Sequence, residues 1–272
     1  MLARPFLWKK LDFLETYAIV ETLRNDGTIN FATMKYFLLL FFALQTTQTY
    51  AQSSCSSDKT AAIKTMYERF TNADCEVCWT KPLATAKFGV TLDWLAPSPA
   101  GDDAPLSAAA NRDALFRLES LKITLPKEQQ VVKTEVKTEV KKSAYKIRVA
   151  HGLAVAGYIG ASIELTQFPS NLRNAKNLTA VLLLTETIPK GMADTPIERL
   201  LVRNMLIEPW KMTMASSPKN SKPDHKQVLL TRRPLSIPSG VNPDNLHVMG
   251  WVQDDSGRIL AAAQSLCIEP KE

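Results

Sequence analysis

Apolar and polar positions alternate strictly over residues 131–141. Val132, Thr134, Val136, Thr138 and Val140 fall on one side, and Lys133, Glu135, Lys137, Glu139 and Lys141 on the other. A period of two with charges on one face predicts a half-buried strand. Val132, Val136 and Val140 are also four apart, as in a helix, but the Val/Thr content favours the strand. The alternation resumes at Tyr145, Ile147 and Val149, separated by Lys146 and Arg148. Beyond it, 153–165 is apolar and broken by Gly157 and Gly160, which predicts a bulge or tight turn. Further strands are predicted at 88–95, 178–188, 200–207, 226–230, 246–252 and 259–266. The last two flank Gln253-Asp254-Asp255-Ser256-Gly257-Arg258, a hairpin signal. Residues 216–224 form a polar loop with two prolines.

Two segments carry the helical period instead. Ala62, Ile63, Met66, Tyr67 and Phe70 recur at helical spacing, with Asp58 available as a cap. Residues 106–121 are Ala/Leu-rich, with Leu115, Leu118 and Leu121 on one side. Asp102-Asp103-Ala104-Pro105 before them has the composition of a helix start.

Near the N-terminus a different pattern appears. Met34-Lys35 is followed by nine apolar residues, 36–44, then by polar residues and Thr49-Tyr50-Ala51. One positive charge, a short apolar run and a small-x-Ala site make a secretory signal peptide, and cleavage is expected after Ala51. The run is too short to span a bilayer. Residues 1–33 are expected to be an extension outside the mature protein. Lipid attachment at Cys55 is poorly supported, because Gln52-Ser53-Ser54 lacks the apolar residue of a lipobox.

The 272 residues, 45% hydrophobic and 22% charged, describe a globular chain rather than a disordered one. The net charge of +6 is mild and does not suggest a nucleic-acid partner. Without residues 1–51 the 33 basic and 27 acidic residues become 28 and 23, a net charge of +5. All four cysteines, Cys55, Cys75, Cys78 and Cys267, follow the cleavage site. In an oxidising compartment free thiols rarely persist unless catalytic. Cys75 and Cys78 are natural partners by proximity. Cys55 and Cys267 lie near opposite ends of the mature chain, and a bond between them would staple it.

Cys75 and Cys78 are the one constellation with a mechanism attached. A thiolate at a helix N-terminus is stabilised by unpaired backbone N–H groups and becomes nucleophilic, with Cys75 attacking and Cys78 resolving. Asp74 and Glu76 oppose that activation. The pair is therefore open to three readings: redox catalysis, a structural disulfide, or metal binding. A zinc site lacks a second Cys-x-x-Cys, and the histidines number three: His151, His225 and His247. Met212 and Met214 could be soft copper ligands but suit a strand face. Asp102 and Asp103 could act as paired carboxylates, although a helix start accounts for them. His151 reads as a structural histidine, and Trp79, Trp94, Trp210 and Trp251 as core aromatics. Gly152, Gly157 and Gly160 do not match a dinucleotide fingerprint, and Gly-x-Ser-x-Gly and His-Glu-x-x-His are absent. Asn177-Leu178-Thr179 is a glycosylation sequon.

The segment Tyr67-Glu68-Arg69-Phe70-Thr71-Asn72-Ala73-Asp74-Cys75-Glu76-Val77-Cys78 resembles bacterial secreted thioredoxin-like proteins, in which a strand runs into a Cys-x-x-Cys that opens a helix. Asn242-Pro243-Asp244-Asn245-Leu246-His247-Val248-Met249-Gly250-Trp251-Val252-Gln253-Asp254 resembles the closing hairpin of the β-sandwich that follows in some of them. The resemblance makes 62–71 a strand and implies a cis-proline loop, for which Thr124-Leu125-Pro126 is the candidate. It implies an α+β fold: a thioredoxin-like α/β domain over 52–165 and an antiparallel β-sandwich-like domain over 166–272. It also implies a periplasmic location. The favoured function is thiol–disulfide exchange on periplasmic proteins through Cys75 and Cys78, with no cofactor. The alternative is a non-catalytic secreted binding or scaffold protein whose disulfides are structural.

Overall fold

Strand-forming patterns dominate the folded chain. In the computed structural model, residues 55–83, 88–127, 129–138, 145–168, 177–211 and 228–267 are described. The expected extension over 1–33, the expected signal peptide over 34–51, the expected loop over 216–224, and Met212, Met214 and His225 lie outside them. The elements run β1 (Cys55–Ser56), β2 (Thr65–Asn72), α1 (Glu76–Thr80), β3 (Val90–Ala96), α2 (Asp113–Ser120), β4 (Val131–Lys137), β5 (Lys146–Val155) and β6 (Tyr158–Gln167). They continue with β7 (Asn177–Ile188), β8 (Arg199–Lys211), β9 (Leu229–Ser236), β10 (Leu246–Asp254) and β11 (Ile259–Gln264).

Two sheets form. The smaller has the order β1-β5-β6-β9 and is antiparallel throughout. The larger has the order β11-β10-β7-β8-β3-β2-β4. The small sheet packs on one face of the large one. Val149, Ile163 and Leu165 of β5 and β6 meet Leu178, Leu182 and Val248 of β7 and β10 there. On the opposite face α2 covers Phe70, Trp94, Met249 and Trp251 with Ala114 and Leu118. A third cluster joins Trp79, Leu95, Ile188 and Leu201 beneath Leu106, Ala109 and Ala110.

Local chemistry explains the turns. Ala156 and Gly157, at φ 50° and 79°, make the two-residue connection between β5 and β6, where both positions take the left-handed conformation. The Asp254 carboxylate accepts the N–H groups of Ser256 and Arg258 at 3.0 and 3.1 Å and closes the β10–β11 hairpin. The alternating strand β4 pairs with β2 at the sheet edge and exposes Lys133, Glu135 and Lys137, a charged edge that discourages pairing with another chain.

The expected α/β unit followed by a separate sandwich is not what forms. The chain is mostly β, and the described α-helices α1 and α2 have 5 and 8 residues. β2 and β3 are parallel with the Cys-x-x-Cys between them. Beyond β3, however, the large sheet continues with β8, and β4 is antiparallel to β2. β5 and β6 leave for the small sheet, where β9 joins them. Both sheets thus draw strands from both sides of residue 165. A local motif specifies an element, whereas strand partners follow from burial over long separations. The expected cis-proline loop is also missing, because no cis peptide occurs among the described residues.

The helical period over 58–70 is overturned for a physical reason. From Arg69 to Asn72, β2 is buried on both faces, so its apolar residues do not alternate and period two is lost. The predicted helix over 106–121 shortens to α2, preceded by 3₁₀ turns at Gly101–Asp103 and Ser107–Ala109.

Candidate functional site

The Cys-x-x-Cys follows directly from the end of β2. The Asn72 side-chain oxygen accepts the Asp74 N–H at 3.1 Å, and the Asn72 carbonyl accepts the Cys75 N–H at 3.0 Å. This turn puts Cys75 at the N-cap of α1, where its sulfur accepts the Cys78 N–H at 3.2 Å. Cys75 and Cys78 are bonded to each other, and both are buried, with 2% and 3% of their surface exposed. The Asp74 carboxylate accepts the Ser98 hydroxyl at 2.8 Å, and Glu76 faces solvent.

Beneath α1 lies a layer of charge inside the protein. Asp93 of β3 accepts hydrogen bonds from Arg69 of β2 (Nε, 2.8 Å) and from Arg199 of β8 (Nη1, 3.0 Å). Arg69 also engages the second carboxylate oxygen through Nη2. All three side chains are buried. Arg199 donates further to the carbonyls of Trp79 at 2.6 Å and Cys78 at 3.4 Å, and to the Thr195 hydroxyl at 2.8 Å. Its guanidinium carbon stands 4.3 Å from the centre of the Trp79 ring, and the indole N–H donates to the Ala193 carbonyl at 2.7 Å. Burial pushes the Arg199 pKa down, and Asp93 works against that push. Arginine still stays charged, so two cations face one carboxylate. Arg69 Nη1 is buried with no hydrogen-bond partner.

Between β3 and β8 one register pair is present, Asp93 with Leu201. A cleft of about 290 Å³ borders this junction, lined by Arg69, Val90, Thr91, Thr187, Glu198 and Arg199 among others. Gly89, also on its wall, has φ +97°, and a Cβ there would come within 2.3 Å of the Thr65 carbonyl oxygen. The chain can enter β3 beside β2 only with glycine at that position.

The second disulfide lies on the small sheet, away from α1 in the sequence. Cys55 and Cys267 are bonded across a sequence separation of 212. Cys55 is the cross-strand partner of His151, and Ser56 bridges Leu266. His151 Nε2 comes within 4.0 Å of Cys267 Sγ. Burial lowers the pKa of His151, and burial together with His151 lowers that of His247.

The remaining candidates have structural positions. Trp79, Trp94, Trp210 and Trp251 are buried in the cores. Asp102 and Asp103 are exposed in a 3₁₀ turn. Sequence reasoning missed Arg69, Asp93 and Arg199. The available signal was a lone carboxylate inside the apolar run Leu92-Asp93-Trp94-Leu95, which is rare unless the charge is paired. It also missed Glu68, which is fully buried and takes two hydrogen bonds from Arg117 of α2 at 2.8 and 2.7 Å.

No helix among the described residues is long and apolar enough to cross a membrane. No family model matches the chain, and no curated protein matches it. A solved structure, HBP35 of Porphyromonas gingivalis, is similar at a TM-score of 0.46 and 9% identity over 75% of each chain, a likeness too slight to argue from.

Proposed function

We propose that the protein is an exported, non-catalytic binding or scaffold protein in which Cys75–Cys78 is a structural bond. The observation that carries this reading is the burial of both sulfur-bearing residues, at 2% and 3% exposure. Thiol–disulfide exchange requires a thiolate to reach a sulfur of the bond, so access governs its rate. Here α1 lies against the Arg199 layer, with two of its carbonyls held by that guanidinium. Exposing either sulfur would disturb these buried hydrogen bonds. Asp74 beside Cys75 and exposed Glu76 add negative charge where a thiolate would have to form.

Export is supported by the signal-peptide pattern over 34–51 and by the pairing of the cysteines, since disulfides persist in oxidising compartments. The cleft between β3 and β8 is the concave, partly polar surface on which a binding role would rest.

A trapping experiment tests this reading. With Cys78 changed to Ser, a catalytic Cys75 would accumulate mixed disulfides with other exported proteins. The expected result is no such adducts above those formed by a Cys75→Ser, Cys78→Ser control. Adducts specific to Cys75 would restore the exchange reading and identify its partner.

A further inference from the structure

The corner where β1, β5 and the C-terminal segment meet brings together three groups that bind metals. Cys55 Sγ, Cys267 Sγ and a ring nitrogen of His151 all lie within 4.8 Å of one another. We propose that reduction of the Cys55–Cys267 bond turns this corner into a zinc site, with both thiolates and His151 Nε2 as ligands and a fourth position open. This site uses the other cysteine pair and does not depend on the binding or scaffold reading.

Three features support the assignment. First, the backbone holds the ligands independently of the disulfide. Cys55 is registered opposite His151 in the β1–β5 ladder. Ser56 and Leu266 exchange two backbone hydrogen bonds of 3.1 Å, which fixes Cys267 beside Cys55. Breaking the S–S bond therefore does not disperse the set.

Second, the histidine is in the tautomer a metal requires. His151 Nδ1 lies 2.9 Å from the Gly152 carbonyl oxygen. That oxygen can only accept, so Nδ1 carries the proton and the lone pair is on Nε2, which faces the sulfurs at 4.0 Å from Cys267 Sγ. A ring N–H given to a backbone carbonyl is the usual support of a metal-bound histidine.

Third, the spacing fits. Tetrahedral zinc with ordinary Zn–S and Zn–N lengths holds S and N about 3.5 Å apart and two sulfurs about 3.8 Å apart. The sulfurs must separate from their bonded 2.01 Å, and Cys267 sits at the surface, where its side chain can turn and an ion can enter. Two thiolates and one imidazole form a donor set suited to zinc. The open position falls to water.

The chemistry balances with an external dithiol as reductant. The dithiol gives up two electrons and two protons and becomes a disulfide, while Cys55 and Cys267 become thiols. Zn²⁺ then displaces both thiol protons. The oxidised protein offers no thiolate, so the same corner alternates between a covalent staple and a metal site.

The test measures binding of Zn²⁺, and of Co²⁺ as a spectroscopic probe, to the full-length chain before and after reduction. The expected result is no stoichiometric zinc in the oxidised protein and one ion per chain in the reduced protein, with a thiolate-to-cobalt charge-transfer band. His151→Asn keeps all four cysteines and should weaken zinc binding at least tenfold, with circular dichroism verifying the fold. Cys75→Ser should leave binding unchanged, whereas Cys267→Ser should abolish it. Failure of the reduced protein to bind zinc, or equal affinity in His151→Asn, would overturn the proposal. So would loss of binding in Cys75→Ser, which would assign the metal to the other pair.

Discussion

Arg199 donates a 2.6 Å hydrogen bond to the Trp79 carbonyl while its guanidinium lies over the Trp79 ring. One side chain on β8 thus holds both the backbone and the indole of the residue that follows Cys78. Through Asp93 and Arg69 the same side chain is tied to β3 and β2. The helix bearing the disulfide is anchored to the sheet by charge as well as by packing.

The charge layer should be expensive to break. Asp93→Asn leaves two buried guanidinium groups with no carboxylate between them. Loss of one partner from a buried pair costs about 3–5 kcal/mol. Urea denaturation should show a loss of this size for Asp93→Asn. A loss below about 1 kcal/mol would mean that solvent reaches the layer.

Glu68 and Arg117 make the corresponding contact on the other face, where α2 docks and Arg117 lies 4.9 Å from the centre of the Trp251 ring. Glu68→Gln should destabilise by a similar ~3–5 kcal/mol. A double-mutant cycle with Arg117→Met should show strong coupling, whereas additive losses would contradict a direct pair.

Gly89→Ala tests the entry into β3. The left-handed φ and the close approach to the Thr65 carbonyl together predict a loss of at least ~1–3 kcal/mol, measurable as a lowered melting temperature. An unchanged melting temperature would mean that β3 can start elsewhere.

Asp113 provides a pH test. Its carboxylate accepts the Met205 N–H at 2.7 Å, yet burial raises its pKa above the usual 3.8. The folded protein therefore binds this proton more tightly than the unfolded chain. The associated stability is fully present below pH 3.8 and is lost as pH rises through the folded pKa. Asp113→Asn keeps an acceptor for Met205 and cannot ionise. Relative to wild type it should gain stability between pH 3.5 and pH 7, seen as a difference in urea midpoints. An equal difference at both pH values would contradict this account.

The sequence was informative wherever one face of a strand met water. The alternation at 131–137 yields β4, and the Gly157 and Gly257 positions become hairpin turns, because period two and turn chemistry are local. It was misleading where strands are buried on both sides. From Arg69 to Asn72 β2 has no alternation to read, and the spacing over 58–70 imitates a helix. The partners of β3 were also illegible, since β8 lies about a hundred residues further along the chain and is joined to it by the Asp93–Leu201 pair. For the candidate site, the proximity of Cys75 and Cys78 was evident from their spacing. The Arg69–Asp93–Arg199 layer was not, because it is assembled from three strands. His151 could not be linked to Cys55 and Cys267 until the register of β1 on β5 was known.

The most direct test of the account is the redox equilibrium of Cys75–Cys78 in the folded protein, followed by alkylation and mass mapping across a glutathione series. The account predicts that this bond stays closed until the potential falls below about −300 mV, the range of structural disulfides, or until the protein unfolds. Opening at a moderate potential while the fold remains intact would contradict it and return the pair to thiol–disulfide exchange.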